Sequence, residues 1–213
     1  MHREVPVKDP AKINKYIKEL VRRRPDIGNG LMGIKKRLHK GFRFYDVRLL
    51  NTKVLKRSCD EFREWLESLI ISNPPPEGVV ALYFGLFTTD DSLQMYATGS
   101  KLWSASDPDW ACRNDWRPEG RVLVPAVFDE ITKVYSEYNM AGNYIALAYT
   151  VMMILDFARV SMISPLDSTR KSMHMACGFD DGDLFDVCVL HEGGLMGLGE
   201  ARRRGLTARK RKL

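Results

Sequence analysis

Cysteine is scarce in this chain: four in 213 residues (Cys59, Cys112, Cys177 and Cys188). That is too few for a disulfide scaffold at this length, so a reducing cytoplasm is the default location. Long apolar runs are also missing. The best stretch, Ala141 to Leu155, is shorter than a bilayer span and runs into Asp156 and Arg159, which reads as a buried core helix. Met1-His2-Arg3-Glu4 is polar, and no apolar segment of the kind a secretory leader needs follows it. HExxH, GxSxG, the Walker A loop and CxxC are all absent, so catalysis has no motif-level centre, and neither a cofactor nor a metal site is expected. What is present is ordinary globular material. With 45% hydrophobic and 28% charged residues, the chain can bury a core, which excludes wholesale disorder.

Charge is distributed unevenly. Residues 1–57 carry a net +12, residues 58–200 a net −13, and residues 201–213 a net +7. A basic head, an acidic body and a basic tail differ from a uniformly basic nucleic-acid binder. The acidic body suits a basic protein partner, and the basic segments suit phosphate. Mutual neutralisation of head and body across packed faces is the plainer alternative.

Asp9-Pro10 reads as a helix start, and Ile13, Tyr16, Ile17, Leu20 and Val21 follow helical spacing up to Pro25. The Gly-rich basic stretch Gly28 to Gly41 reads as loop with one short helical turn, and Phe42 to Leu50 as a strand. Ser58-Cys59-Asp60-Glu61 has capping-box spacing ahead of the stripe Phe62, Trp65, Leu66, Leu69 and Ile70, which predicts a helix ending at Pro74-Pro75-Pro76. Val79 to Phe87 and Leu93 to Thr98 are predicted as an antiparallel hairpin turning at Thr88 to Asp91. Ser100 to Gly120 reads as irregular, Pro125 to Tyr138 and Gly142 to Val160 as helices. Met173 to Phe179 and Leu184 to Leu190 flank Asp180-Asp181-Gly182-Asp183, a second hairpin. The expected fold is α+β, a mostly antiparallel sheet with helices packed on one face, forming a single domain over residues 1–192. Residues 193–213, Gly-rich and then basic, read as a mobile tail.

Several strings imitate functional motifs. Gly28-Asn29-Gly30-Leu31-Met32-Gly33 matches GxGxxG, but a helix and Pro25 precede it where dinucleotide binding needs a strand. His174-x2-Cys177 and Cys188-x2-His191 mirror each other about a turn like a zinc site. Residues three apart on a strand point to opposite faces, however, so the cysteines read as core. Asp180, Asp181, Asp183 and Asp186 crowd a turn without the alternating spacing of a calcium loop. Ser168-x2-Lys171 matches a nucleophile motif without its partner motifs. An acid/base pair of distant residues, such as Asp109 with His174, is the remaining catalytic option and ranks last.

The stretch Trp103, Asp107, Asp109, Trp110, Asp115, Trp116 and Arg117 is the candidate partner-binding site. Tryptophan and arginine are enriched where interfaces bury anchors. The same rings also suit a lid over the sheet, with the acids facing water. Ala81-Leu-Tyr-Phe-Gly-Leu-Phe87, Met95-Tyr-Ala-Thr-Gly-Ser100, Asp107-Pro-Asp-Trp-Ala-Cys112, Trp116-Arg-Pro118 and Gly178-Phe-Asp-Asp-Gly-Asp183 together resemble small bacterial immunity-type proteins of polymorphic or contact-dependent toxin systems. The resemblance covers residues 79–190. It implies a non-enzymatic cytoplasmic protein that binds and blocks a toxin; the basic head and tail depart from the acidic balance such proteins often show. The competing expectation is nucleic-acid association through Lys35, Lys36, Arg37, Lys40, Arg202 to Arg204 and Arg209 to Lys212, which phosphate neutralisation would make steeply salt-dependent.

Overall fold

The computed structural model describes residues 10–41, 51–89, 92–134, 140–160, 172–180, 184–191, 194–204 and 206. In chain order the elements are α1 (Pro10–Arg23), α2 (Ile27–Gly41), α3 (Thr52–Ser72), β1 (Ala81–Thr88), β2 (Leu93–Ser100), β3 (Val122–Leu123), α4 (Ala126–Val134), α5 (Met140–Val160), β4 (Ser172–Phe179), β5 (Leu184–His191), β6 (Gly194–Met196) and α6 (Leu198–Arg203). Among the described residues six strands form one sheet in the order β3-β2-β1-β4-β5-β6. All neighbours are antiparallel except β1 and β4, which run parallel. The fold is α+β.

The period-2 pattern of the strands divides the sheet into two differently covered faces. Leu82, Phe84 and Leu86 of β1, Met95 of β2, Met175 and Cys177 of β4 and Val187 of β5 point into the main core with residues from α1 to α5. Phe62 of α3 meets Phe84 edge-on at 5.2 Å and Phe157 of α5 at 6.1 Å, the tilted arrangement aromatic quadrupoles favour. α5 is the middle of this layer. The expectation that this stretch falls short of a bilayer span needs correction: residues 142–160 are long and apolar enough to cross a membrane by length and composition alone, but 67% of that window is buried inside the fold, as in a central core helix.

The opposite face is narrower. Ala81, Tyr83, Trp103, Trp110 and Ala176 form a second cluster beneath the 101–121 connection. Val189, Met196 and Ala201 form a third, where α6 rests on β5 and β6. Among the described residues, α1 to α5 therefore share one face and the short α6 takes the other.

Three further expectations from the sequence need correction. Gly28 to Gly41 is not a loop but most of helix α2. Its glycines serve close packing: a Cβ on Gly30 would lie 2.4 Å from the Met152 methyl, and one on Gly33 2.7 Å from the Tyr16 hydroxyl. The helix at Ser58 begins earlier, at Thr52, capped by the Asn51 side chain, which accepts from the Lys53 N–H at 2.9 Å. Ser58 and Glu61 instead cap a different helix: the Ser58 hydroxyl accepts from the Val127 N–H at 2.9 Å, and a Glu61 carboxylate oxygen from the Ala126 N–H at 2.7 Å. The two side chains satisfy orphan donors of α4's first turn, 65 or more residues away in the chain. Third, the stretch read as the start of a tail forms β6 and α6, with Ala201 fully buried. The predicted strand at Phe42 to Leu50, the Ser168-x2-Lys171 string, the tips of both predicted hairpins (Asp90, Asp91 and 181–183) and the run Arg209 to Lys212 lie outside the described residues.

Candidate functional site

The 101–121 connection leaves β2 and crosses the sheet face that the five helices do not cover. Asp107, extended at φ −137° and ψ 100°, caps a short 3-10 turn at Pro108–Cys112 by accepting from the Asp109 N–H at 3.1 Å. Asp115 accepts from the Lys101 N–H at 2.8 Å, closing the loop on itself. Trp116 then pairs by backbone with Gly99, and its indole N–H donates to the Asn73 carbonyl at 2.9 Å.

Trp103, Trp110 and Trp116 are buried, at 6%, 2% and 4% exposure. Trp116 belongs to the helix-covered core, whereas Trp103 and Trp110 pack on the other face against Ala81 and Tyr83. Trp103 and Trp110 are therefore the lid, and none of the three buried rings offers a free surface to a partner. Asp107, Asp109 and Asp115 are exposed, as are Arg113, Arg117 and, at 51%, Leu102. The candidate residues are thus split: Trp103 and Trp110 fasten the loop from below, Trp116 anchors its end in the helix-covered core, and Asp107, Asp109, Asp115 and Arg117 stand on its outside.

Beneath the lid lies a polar group that sequence reading did not connect to it. The Trp103 indole stacks on His174 of β4, with ring centroids 3.9 Å apart, and its N–H donates to Asp186 of β5 at 3.0 Å. His174 is 3% exposed, and its Nδ1 has no hydrogen-bond partner. Burial brings its pKa down to about 4, partly countered by a backbone hydrogen bond with Leu206. Burial pushes Asp186 upward, and the Trp103 hydrogen bond and the Arg202 charge pull it back. Nearby, Tyr96 donates to Asp180 and carries the Arg121 guanidinium over its ring at 5.1 Å. Burial raises both Tyr83 and Tyr96 well above the ordinary tyrosine range, so neither phenol ionises near neutrality.

The structure does not bring Asp109 to His174: one is exposed on the loop and the other is sealed beneath Trp103. Nor do the mirrored His/Cys strings converge. A bulge between Met175 and Ala176 shifts the register so that Cys188 opposes Met175, Cys177 opposes Phe185 and His174 opposes Val189. Cys177 and Cys188 sit in the main core, and burial raises both thiols. Of the acids at the second hairpin, Asp180 and Asp186 are engaged by Tyr96 and Trp103. Among the described residues no cluster of three His, Cys, Asp or Glu is arranged to hold a metal ion. Of the basic residues weighed for nucleic acid, Lys36 and Arg202 to Arg204 are exposed and Lys35 is half-buried; the side chains of Arg37 and Lys40 lie outside the described residues.

Comparison with protein-family models, with curated proteins and with solved structures finds no match to this chain.

Proposed function

We propose that the protein is a non-enzymatic binding module, an immunity-type inhibitor that recognises a basic protein toxin through the outer surface of the 101–117 loop. The observation that carries this reading is the construction of that loop. Trp103 and Trp110 are buried beneath it and Trp116 is anchored in the main core, while Leu102, Asp107, Asp109 and Asp115 remain exposed. A loop held this way loses little conformational entropy on binding, so more of the contact energy appears as affinity. The carboxylates offer local pairing to cations of a basic surface beside the exposed Arg113 and Arg117, and Leu102 supplies an apolar centre among polar neighbours. Long-range attraction to a basic partner comes from the net −13 of residues 58–200 as a whole. The short motifs whose resemblance to immunity-type proteins suggested this reading lie largely in this region, on β1, β2 and the loop itself.

The test is co-purification at low ionic strength. The immobilised protein should retain one basic protein at one-to-one stoichiometry, with an association rate that falls steeply as salt is added. Inhibition of that partner's toxicity on co-expression completes the test. Recovery of no stoichiometric partner at low salt would count against the proposal.

A further inference from the structure

The two basic ends of the sequence meet in space. Lys18 and Arg22 of α1, Arg24 just after it and Arg203 of α6 line one cleft of about 520 Å³. The cleft runs along the outer edge of β5 at Leu184 to Asp186. β6 does not cover that edge, because it pairs only with Val189 to His191.

The cations outnumber the carboxylates of the cleft, four to two. Among the described residues none of these cations makes a salt bridge: Glu19 is taken by Arg23 and Glu200 by Arg204. The carboxylate of Asp186, on the cleft wall, accepts from Trp103. Arg24 is held in place by its backbone. It adopts a left-handed φ of 48°, uncommon for a residue with a side chain. Arg159 donates to the carbonyls of both Arg24 and Pro25, fixing this turn. The Arg24 guanidinium lies against Gly197, where an added Cβ would come within 3.2 Å of it. A non-glycine residue kept in this conformation, aiming a cation into a cleft, is the kind of local strain that accompanies ligand sites. The rest of the wall is formed by the apolar Val21, Leu184, Phe185 and Leu198, by Gly197 and Gly199, and by the carboxylates of Asp186 and Glu200, which are engaged by Trp103 and Arg204. Concave sites of this size with apolar walls and a few convergent polar groups are how proteins hold small molecules.

We propose that this cleft binds a phosphate-bearing small molecule of nucleotide size. Lys18, Arg22, Arg24 and Arg203 face its phosphates, and the apolar wall takes its base. Arginine forks match phosphate oxygens in pairs, which makes three arginines and a lysine a suitable set for a diphosphate. The cleft uses none of the exposed loop residues assigned to partner binding, so the two readings stand or fall separately.

The test is calorimetric titration of the full chain with each of the four common nucleoside diphosphates, with inorganic pyrophosphate, and with a short single-stranded oligonucleotide. One nucleoside diphosphate should bind one-to-one and at least about tenfold more tightly than pyrophosphate. Arg22→Gln and Arg203→Gln, both on exposed side chains, should each weaken it by about tenfold or more with an unchanged melting curve. Pyrophosphate binding as tightly as every nucleotide would overturn the proposal, leaving an unspecific anion patch. Oligonucleotide binding that nucleotides do not displace would assign the cations to nucleic acid and overturn it too, as would absence of binding by all probes.

Discussion

Trp103 lies flat on His174, with 18° between the two ring planes, and ties the same indole to Asp186 through its N–H. One side chain of the loop thus covers a buried imidazole on β4 and satisfies a half-buried carboxylate on β5. The lid and the two strands beneath it form a single polar and aromatic unit, and the stability of that unit depends on pH.

In the folded protein His174 stays neutral down to about pH 4, whereas in the unfolded chain it takes up a proton near pH 6.5. Between those values the unfolded state binds more protons, so stability falls as pH drops through the window. The full contribution is about 3 kcal/mol. Asp186, raised by burial, acts in the opposite sense in acid, so the wild-type curve alone does not isolate the imidazole. Denaturant melts of wild type and His174→Phe between pH 7 and pH 4 do. The variant should lose less stability on acidification, and parallel curves would show that the imidazole is not held neutral.

Trp110→Ala removes a ring that is 2% exposed. Lost burial and the cavity left behind should destabilise the fold by about 3–5 kcal/mol. Thermal and denaturant melts measure this directly. A variant as stable as wild type would mean that the loop is not anchored from below.

Asp107→Asn and Asp109→Asn probe the outer surface. Asparagine also caps, so the 3-10 turn should survive at position 107. Melting curves should move little, while the association rate with the basic partner falls and its salt dependence flattens. Stopped-flow association at several salt concentrations is the measurement. Unchanged rates in the double variant would place the contact elsewhere on the molecule.

Ser58→Ala leaves the buried Val127 N–H without the acceptor it has in the folded protein. The expected cost is about 1–3 kcal/mol, the penalty of an unsatisfied buried donor. Amide exchange at Val127 should quicken relative to the rest of α4. A neutral effect on both readings would mean that another acceptor takes over.

Periodicity by itself determined much of this protein. The stripe from Phe62 to Ile70, the apolar run of β1, the all-round hydrophobicity of α5 and the two hairpins are local signals, because side-chain spacing along a segment sets which face can be buried. The α+β class follows from their order, and the Trp-rich loop was identifiable from composition as either surface or lid.

Only the tertiary structure decided the rest, since the deciding partners are remote in sequence. Glycines in α2 look like a loop until Met152 and Tyr16 are seen to need their space. Ser58 and Glu61 have the spacing of a local cap, but the donors they satisfy belong to α4. A bulge of one residue in the β4–β5 pair set which groups oppose Cys177 and Cys188, and no spacing rule marks it. The convergence of α1 with α6 on one cleft joins the first basic block to the last, because packing on a shared sheet brings together segments that the linear chain keeps at opposite ends.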